Sequence, residues 1–202
     1  MPILPTSHLV LPCCLLISAG FLCSSAQAEP PARPIDASEG SAQHDGRHDF
    51  DFELGRWNAH VKKLVHPLSH STEWDELTGT VVTRTLPMLE GWNESEMRVE
   101  SPTSHRHLEL LAVRLYNPST RQWAIYGSSI TTGVFDPPMI GQFSNGRGEL
   151  YSQDTFQGRA IYVRFIWQRV DANKTRLEQA FSEDGGKTWE TNWIYEGQRI
   201  PE

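Results

Sequence analysis

The sequence predicts an all-β fold, a single antiparallel barrel of nine or ten strands. Apolar residues alternate with period two along segments such as 57–65 and 161–168, and this period is typical of half-buried strands. Turn sequences such as Asn145-Gly146 separate these segments, so neighbouring strands are expected to pair as antiparallel hairpins. Closing such a sheet into a barrel is one way to remove its exposed edges.

The 202-residue chain divides into three predicted regions. Residues 9–23 form a mostly apolar run that is followed by two serines and then Ala-Gln-Ala, the pattern of a secretory signal peptide cut after Ala28. Residues 1–28 are therefore predicted to be a signal peptide, and the protein is expected to be secreted or periplasmic. Residues 29–46 are rich in proline and small polar residues and are predicted to be a disordered linker. Residues 47–199 contain all seven tryptophans and have the size of one domain.

The composition of the chain after the predicted signal peptide argues against several classes of function. All three cysteines lie within residues 1–28, which excludes disulfide bridges, thiolate catalysis and cysteine-ligated zinc from the rest. The chain has 18 basic and 25 acidic side chains, and net acidity without a basic cluster argues against nucleic-acid binding. No later segment is long and apolar enough for a membrane-spanning helix, so no membrane partner is expected after cleavage. No cofactor is expected, and the oligomeric state is left open.

One short helical turn is predicted at residues 49–54, ahead of the first strand. Asp49 is expected to be its N-cap, Phe50 and Leu54 share one face, and Gly55 is expected to end it, according to the residue preferences of helix termini. The first strand then begins with the sequence Gly-Arg-Trp.

The segment HDFDFELGRW at 48–57 resembles the opening of lipocalin-type proteins. In those proteins Gly-x-Trp begins the first strand, and the tryptophan plugs the closed end of the barrel. The chain also resembles an uncharacterised bacterial calycin-like family of secreted proteins of unknown function. The resemblance implies a calycin/lipocalin-like barrel and no particular activity. Its further matching segments are STEW (71–74), DPPMIGQF (136–143), DTFQGRAIYVRFIW (154–167) and EQAFSEDGGKTWETNW (178–193).

Residues 182–189 (SEDGGKTW) match the Asp-box pattern S-x-D-x-G-x-T-W, which sialidases and related propellers contain. A propeller needs several such blades and far more residues, whereas the pattern occurs once in this chain. The favoured interpretation is a hairpin turn in which glycines supply positive φ and the Asp, Ser and Thr side chains bond backbone amides.

The histidines give only weak evidence for a metal site, and known catalytic motifs are missing from the sequence. His105 and His107 would share one face of a strand, but the sequence Ser-Pro-Thr-Ser-His around His105 is typical of a turn. Three more histidines (60, 66 and 70) recur along the first strand and its following turn. Zinc needs three or four converging ligands with second-shell support, so no metal site is predicted. The sequence has no Gly-x-Ser-x-Gly elbow, no phosphate-binding Gly-rich loop and no His-Glu-x-x-His motif.

Arg114 interrupts an apolar strand face that positions 108, 110, 112 and 116 form. If that face points into the barrel, the buried guanidinium needs an anionic partner, either an internal carboxylate or a ligand. An internal partner such as Glu109 or Glu178 would only hold the barrel together.

Four more residues complete the predicted ligand-binding set. Gln179 is a polar interruption between Leu177 and Phe181, and the face of Arg164 is ambiguous because both sides of its strand carry apolar residues. Two aromatic residues are added as candidate lining of the barrel. The predicted ligand contacts are therefore Arg114, Gln179, Arg164, Tyr126 and Trp193.

The leading hypothesis is an exported barrel that binds a small, partly apolar molecule with a polar or anionic end. One alternative is an isomerase, lyase or hydrolase that acts in the same cavity, which requires a titratable group with a perturbed pKa beside the ligand. The other alternative is a structural or interaction module, which requires a contiguous apolar patch on the outside of the barrel.

Overall fold

The computed structural model describes residues 45–87 and 90–201. The predicted signal peptide and nearly all of the predicted linker lie outside these described residues, so both remain predictions. Two short 3₁₀ helices, Gly46–His48 and Asp51–Glu53, precede ten strands. The strands are β1 (Gly55–Leu64), β2 (Trp74–Thr85), β3 (Asn93–Glu100), β4 (His107–Asn117), β5 (Gln122–Ser129), β6 (Met139–Ser144), β7 (Arg147–Phe156), β8 (Arg159–Arg169), β9 (Lys174–Ser182) and β10 (Glu190–Arg199).

The ten strands form one closed barrel in which every neighbouring pair is antiparallel. Each strand pairs with the next one along the chain, and β1 closes the barrel by pairing with both β2 and β10. Within the described residues closure therefore gives every strand a neighbour on both sides, although β5 and β6 pair over only three residues. The prediction of an all-β antiparallel barrel of nine or ten strands is confirmed.

Strand alternation separates an inner from an outer face in the way the sequence predicts. In β1, Trp57, Ala59 and Val61 are buried and point inward, whereas Arg56 and Asn58 are exposed. Phe50 fills one end of the barrel, where its ring meets those of Trp123, Phe143 and Trp167 edge-on at 4.9, 4.8 and 5.7 Å between centroids. This end is called the closed end below, and the opposite end is called the mouth.

The predicted helical turn before β1 exists, but its caps differ from the prediction. Phe50 rather than Asp49 is the N-cap of the second 3₁₀ helix, and it makes no side-chain capping bond. Asp49 instead ends the first 3₁₀ helix. The reason is packing: Phe50 is fully buried, so burial of its ring fixes the turn in place of a capping carboxylate. Gly55 is the first residue of β1, with a φ of 110°.

The Asp-box is a turn between β9 and β10, as predicted. The carboxylate of Asp184 accepts bonds from the backbone amides of Lys187 and Thr188 and from the hydroxyls of Ser182 and Thr188. These bonds lower the pKa of Asp184. With a single barrel in place of a propeller, the motif stabilises a hairpin.

Helices in the described part of the chain are too short and too polar to cross a bilayer.

Candidate ligand-binding site

The barrel interior has two halves that differ in solvent access. At the closed end, large inward-facing side chains such as Trp57, Trp123 and Tyr195 are each 1% exposed. Towards the mouth, many inward-facing side chains are half-buried and most of these are apolar, although Val99 and Val163 on the same face are buried. This mouth half is lined by Lys63, Met97, Leu108, Leu110, Ala112, Phe165, Gln179, Phe181 and Trp193. It is the part of the interior in which many side chains are partly exposed to solvent.

Gln179 and Asn192 place two amides in the wall of the mouth half. A β-bulge shifts the register of β10 against β9 between Thr191 and Trp193, and a bulge re-aims the side chain of the extra residue. Gln179 Nε2 donates to Asn192 Oδ1 at 2.8 Å. Asn192 is only 2% exposed, and its Nδ2 has no hydrogen-bond acceptor among the described residues. A buried N–H without a partner is costly, so this group favours a bound acceptor.

Lys63 is an inward-facing basic side chain in the mouth half. Its register partners are Trp193 on β10 and Asp75 on β2. Its Nζ lies 5.4 Å from the centroid of the Trp193 ring, within the range of a cation–π contact. Burial lowers the pKa of the Lys63 ammonium, and the nearby guanidinium of Arg106 lowers it further.

Arg114 faces inward but lies in the sealed closed half. Its Nη1 donates to Asn93 Oδ1 at 2.9 Å and to Ser95 Oγ at 2.5 Å. Its guanidinium carbon lies 5.1 Å from the ring centroids of both Phe50 and Trp167. Arg114 is 2% exposed, so its contacts are those of the protein interior.

Glu53 supplies the negative charge in this closed half, and it comes from the short helix that plugs the barrel. Its carboxylate is fully buried and accepts a hydrogen bond from the hydroxyl of Thr175. Burial raises the pKa of Glu53, while Arg114 opposes that shift. The internal carboxylate that attracts Arg114 is therefore Glu53 rather than Glu109 or Glu178, although the two side chains form no ion pair within 4 Å and Arg199 also attracts Glu53. Arg114 is not included in the candidate site.

Arg164 and Tyr126, two of the predicted ligand contacts, lie on the outer face of the barrel. The Arg164 guanidinium carbon lies 4.5 Å from the ring centroid of Trp189, and the Tyr126 ring contacts that of Phe135 at 6.3 Å. Their inward-facing strand neighbours are residues such as Phe165 and Ile125. An interior ligand would touch neither Arg164 nor Tyr126, and of the five predicted contacts only Gln179 and Trp193 line the mouth half.

Two acidic side chains stand near the rim of the mouth. Burial and the charge of Asp154 raise the pKa of Asp136, which lies in the loop between β5 and β6. Asp136 Oδ2 is 4.0 Å from where a Cβ on the inward-facing Gly127 would lie. These carboxylates place negative charge on the β5–β7 side of the rim, while Lys63 is on β1.

Two of the histidines that the sequence singles out contact glutamates on the barrel exterior. His60 Nε2 lies 3.0 Å from Glu76 Oε2, and His107 Nε2 lies 3.0 Å from Glu109 Oε1. Across residues 45–87 and 90–201, no group of three or more His, Cys, Asp or Glu side chains is arranged to hold a metal ion. His60 also borders a groove of about 800 Å³. The other residues around this groove include the outward-facing Asn58, Thr78, Lys174 and Glu196, so it lies outside the barrel.

Comparison with solved structures shows which known folds this barrel resembles. No family model and no curated protein matches the chain. Among solved structures it is similar to the S-type phycobiliprotein lyase CPES from Guillardia theta, at 12% identity, with 79% of this chain and 95% of that chain covered and a TM-score of 0.52. It is also similar to Rv2717c from M. tuberculosis, at 10% identity, with 78% and 99% covered and a TM-score of 0.53. The fold is calycin-like. At such identities the similarity shows the fold alone.

Sequence reasoning missed Lys63 and Asn192 for different reasons. The alternation of β1 does put Lys63 on the same face as Trp57, Ala59 and Val61, so the signal for an inward-facing cation is present in the sequence. Asn192 gives no such signal, because the bulge that turns it inward depends on how β10 pairs with β9.

Proposed function

We propose that this calycin-like barrel binds a small, partly apolar molecule in the mouth half of its interior. The observation that carries the proposal is the group of half-buried apolar side chains that face inward in the mouth half, whereas large buried side chains fill the closed half. Ligand sites in proteins are typically concave and mostly apolar, with a few placed polar groups. Met97, Leu110, Phe165 and Trp193 supply the apolar lining here.

The polar end of the molecule is held by the amide pair on β9 and β10. Gln179 positions Asn192 through its hydrogen bond, and Asn192 Nδ2 is left as a buried donor without a protein acceptor. A ligand oxygen that accepts from this group would offset the cost of its burial. Trp193, next to Asn192 in sequence, adds an aromatic surface against which the ligand packs.

A blocked-lumen variant tests the proposal directly. Ala112 faces inward in the mouth half, and its neighbour Val113 faces outward on the same strand. Ala112→Phe should fill the ligand space and weaken binding of the neutral fluorescent dye N-phenyl-1-naphthylamine by at least about tenfold. Val113→Phe, the matched control, should leave the affinity unchanged. The measurement is a fluorescence titration, with circular dichroism to show that both variants fold.

Two results would contradict the proposal. In one, wild-type protein shows no saturable dye binding. In the other, Ala112→Phe binds the dye as tightly as wild type, which would place the dye on the outer surface.

The two alternative functions have narrower support. For catalysis, Lys63 is a titratable group with a perturbed pKa in the mouth half, and that is the condition the enzyme hypothesis sets. For an interaction module, Leu111, Ile140 and Tyr151 are exposed on the outer wall. Exposed apolar residues are common on protein surfaces. Ligand binding is favoured because the unpartnered donor of Asn192 lies beside the half-buried apolar lining of the mouth half. Export remains a prediction from residues 1–28.

A further inference from the structure

We infer that the ligand of the mouth half carries a carboxylate or a similar acidic group, which pairs with Lys63. This inference rests on the proposed function and specifies the chemical class of its ligand. The class is an amphipathic acid, with an apolar body in the lumen and an anionic end on the β1 side of the mouth.

The position of Lys63 is fixed by strand alternation and register. Residues 57, 59 and 61 of β1 all point into the barrel and are buried, and Lys63 continues the same face one position nearer the mouth. Its Nζ stands over the ring of Trp193 at 5.4 Å. Because Trp193 is itself half-buried in the lumen, the ammonium projects over the ligand space.

Lys63 has no salt bridge or hydrogen bond of its own within the described part of the chain. The obvious partner is Asp75, directly opposite in register. The Asp75 carboxylate is already occupied, because Ser101, Ser104 and Arg106 donate to it at 2.6, 2.7 and 3.1 Å. Asp75 therefore attracts Lys63 only from a distance.

Lys62, the adjacent residue, shows the ordinary arrangement. It faces outward, and its Nζ lies 3.3 Å from Glu76 Oε1 in an exposed ion pair. An outward lysine thus has a carboxylate, while the inward lysine on the same strand lacks one. A partly desolvated cation favours an opposite charge from elsewhere, and the open lumen is where that charge can come from.

The charges around the mouth also set the orientation of the acid. On the Lys63 side, the positive charges of Lys63 and Arg106 outnumber the one carboxylate of Asp75, whereas Asp136 and Asp154 stand on the β5–β7 side. An anionic group is therefore attracted to the β1 wall and repelled from the opposite one. The remaining lining is apolar, so the rest of the ligand is expected to be apolar as well.

A matched pair of probes tests this inference. The probes are 11-(dansylamino)undecanoic acid and its methyl ester, titrated by fluorescence against the full chain. Wild type should bind the acid at least about tenfold more tightly than the ester, the size expected for one charge-assisted pair. Lys63→Gln should remove that preference by weakening acid binding alone, and Lys63→Arg, which keeps the charge, should retain it. Lys62→Gln, the matched control, should change neither affinity.

The outcomes separate this inference from the proposed function. If acid and ester bind wild type equally, or Lys63→Gln weakens both probes alike, the charge inference is overturned while lumen binding stands. If neither probe binds and the neutral dye also fails to bind, the proposed function falls together with the inference. If the neutral dye binds in the lumen and the acid does not, only the inference is overturned.

Discussion

Arg114 and Glu53 belong to one buried cluster at the closed end, where neither side chain reaches solvent. Burying two opposite charges costs desolvation free energy. Their mutual attraction offsets this cost only when hydrogen bonds also satisfy the remaining polar atoms of each group. Asn93 and Ser95 satisfy one nitrogen of the guanidinium, and Thr175 satisfies one oxygen of the carboxylate. The cluster therefore links the second 3₁₀ helix to the barrel wall. It lies outside the proposed ligand space in the mouth half.

Removing Arg114 should destabilise the fold strongly. Arg114→Met removes the stronger of the two cations that stabilise the buried Glu53 carboxylate, the other being Arg199, and should cost about 3 kcal/mol in urea denaturation, the lower end for a broken buried pair. The double variant Glu53→Gln/Arg114→Met should lose much less, because the unpaired charge is gone. Equal losses in the single and double variants would contradict the assignment of Glu53 as the partner.

The same variant should show a distinct pH dependence. Burial raises the pKa of Glu53 above its unfolded value, so its ionised form opposes folding, and this penalty grows as the pH rises through the folded-state pKa. Arg114 limits the shift, so its removal should enlarge it. The destabilisation of Arg114→Met should therefore be smaller in mildly acidic than in mildly alkaline buffer.

Some individual residues could be placed from the sequence and others could not. Gln179 and Trp193 were predicted as ligand contacts and do line the mouth half. Arg164 was misleading because its strand carries apolar residues on both faces, and Tyr126 because an aromatic residue packs equally well outside, against Phe135. In both cases the face of the strand, and not the residue type, decides the role.

At the scale of single elements, the close approach of two neighbouring strands depends on a glycine. A Cβ on Gly141 in β6 would lie 1.9 Å from the backbone oxygen of Glu149 in β7, far inside any allowed contact. These two strands can approach only because position 141 has no side chain.

Gly141→Ala should therefore destabilise the barrel by about 2–3 kcal/mol, the upper range for overpacking. Gly127→Ala is the matched control in the neighbouring strand β5, since its Cβ would meet only Asp136 Oδ2 at 4.0 Å. The control should change stability by less than about 0.5 kcal/mol. Thermal and urea unfolding measure both, and an unaffected Gly141→Ala would contradict the close approach of β6 and β7.

Strands and turns were predictable at this scale because their signals are local. Period-two alternation and the Asp-box both act over a few neighbouring residues, and the structure confirms the strands and the turn. The bulge at 191–193 and the caps of the 3₁₀ helices were not predictable, since both depend on packing against distant residues. Phe50, for example, is fixed by Trp123, Phe143 and Trp167, which lie far along the chain.

At the scale of the whole molecule, the closing of the sheet into a barrel creates the proposed ligand space. A flat sheet with the same side chains would expose Met97, Leu110 and Trp193 to solvent on one open surface. Closing the barrel and plugging one end with Phe50 converts that surface into a lumen with a single accessible half. The fold class followed from the sequence, but the division of the interior into a sealed and an open half required the structure.

The most direct test is to locate a bound molecule inside that lumen. The protein is labelled with ¹³C at the methyl groups of methionine and isoleucine and saturated with N-phenyl-1-naphthylamine. Met97 faces the mouth half, and Ile140 is exposed on the outer wall. Intermolecular NOEs from the dye to the Met97 methyl group, with none to Ile140, are the predicted result. NOEs to Ile140 without any to Met97 would show binding on the outside of the barrel and would contradict it.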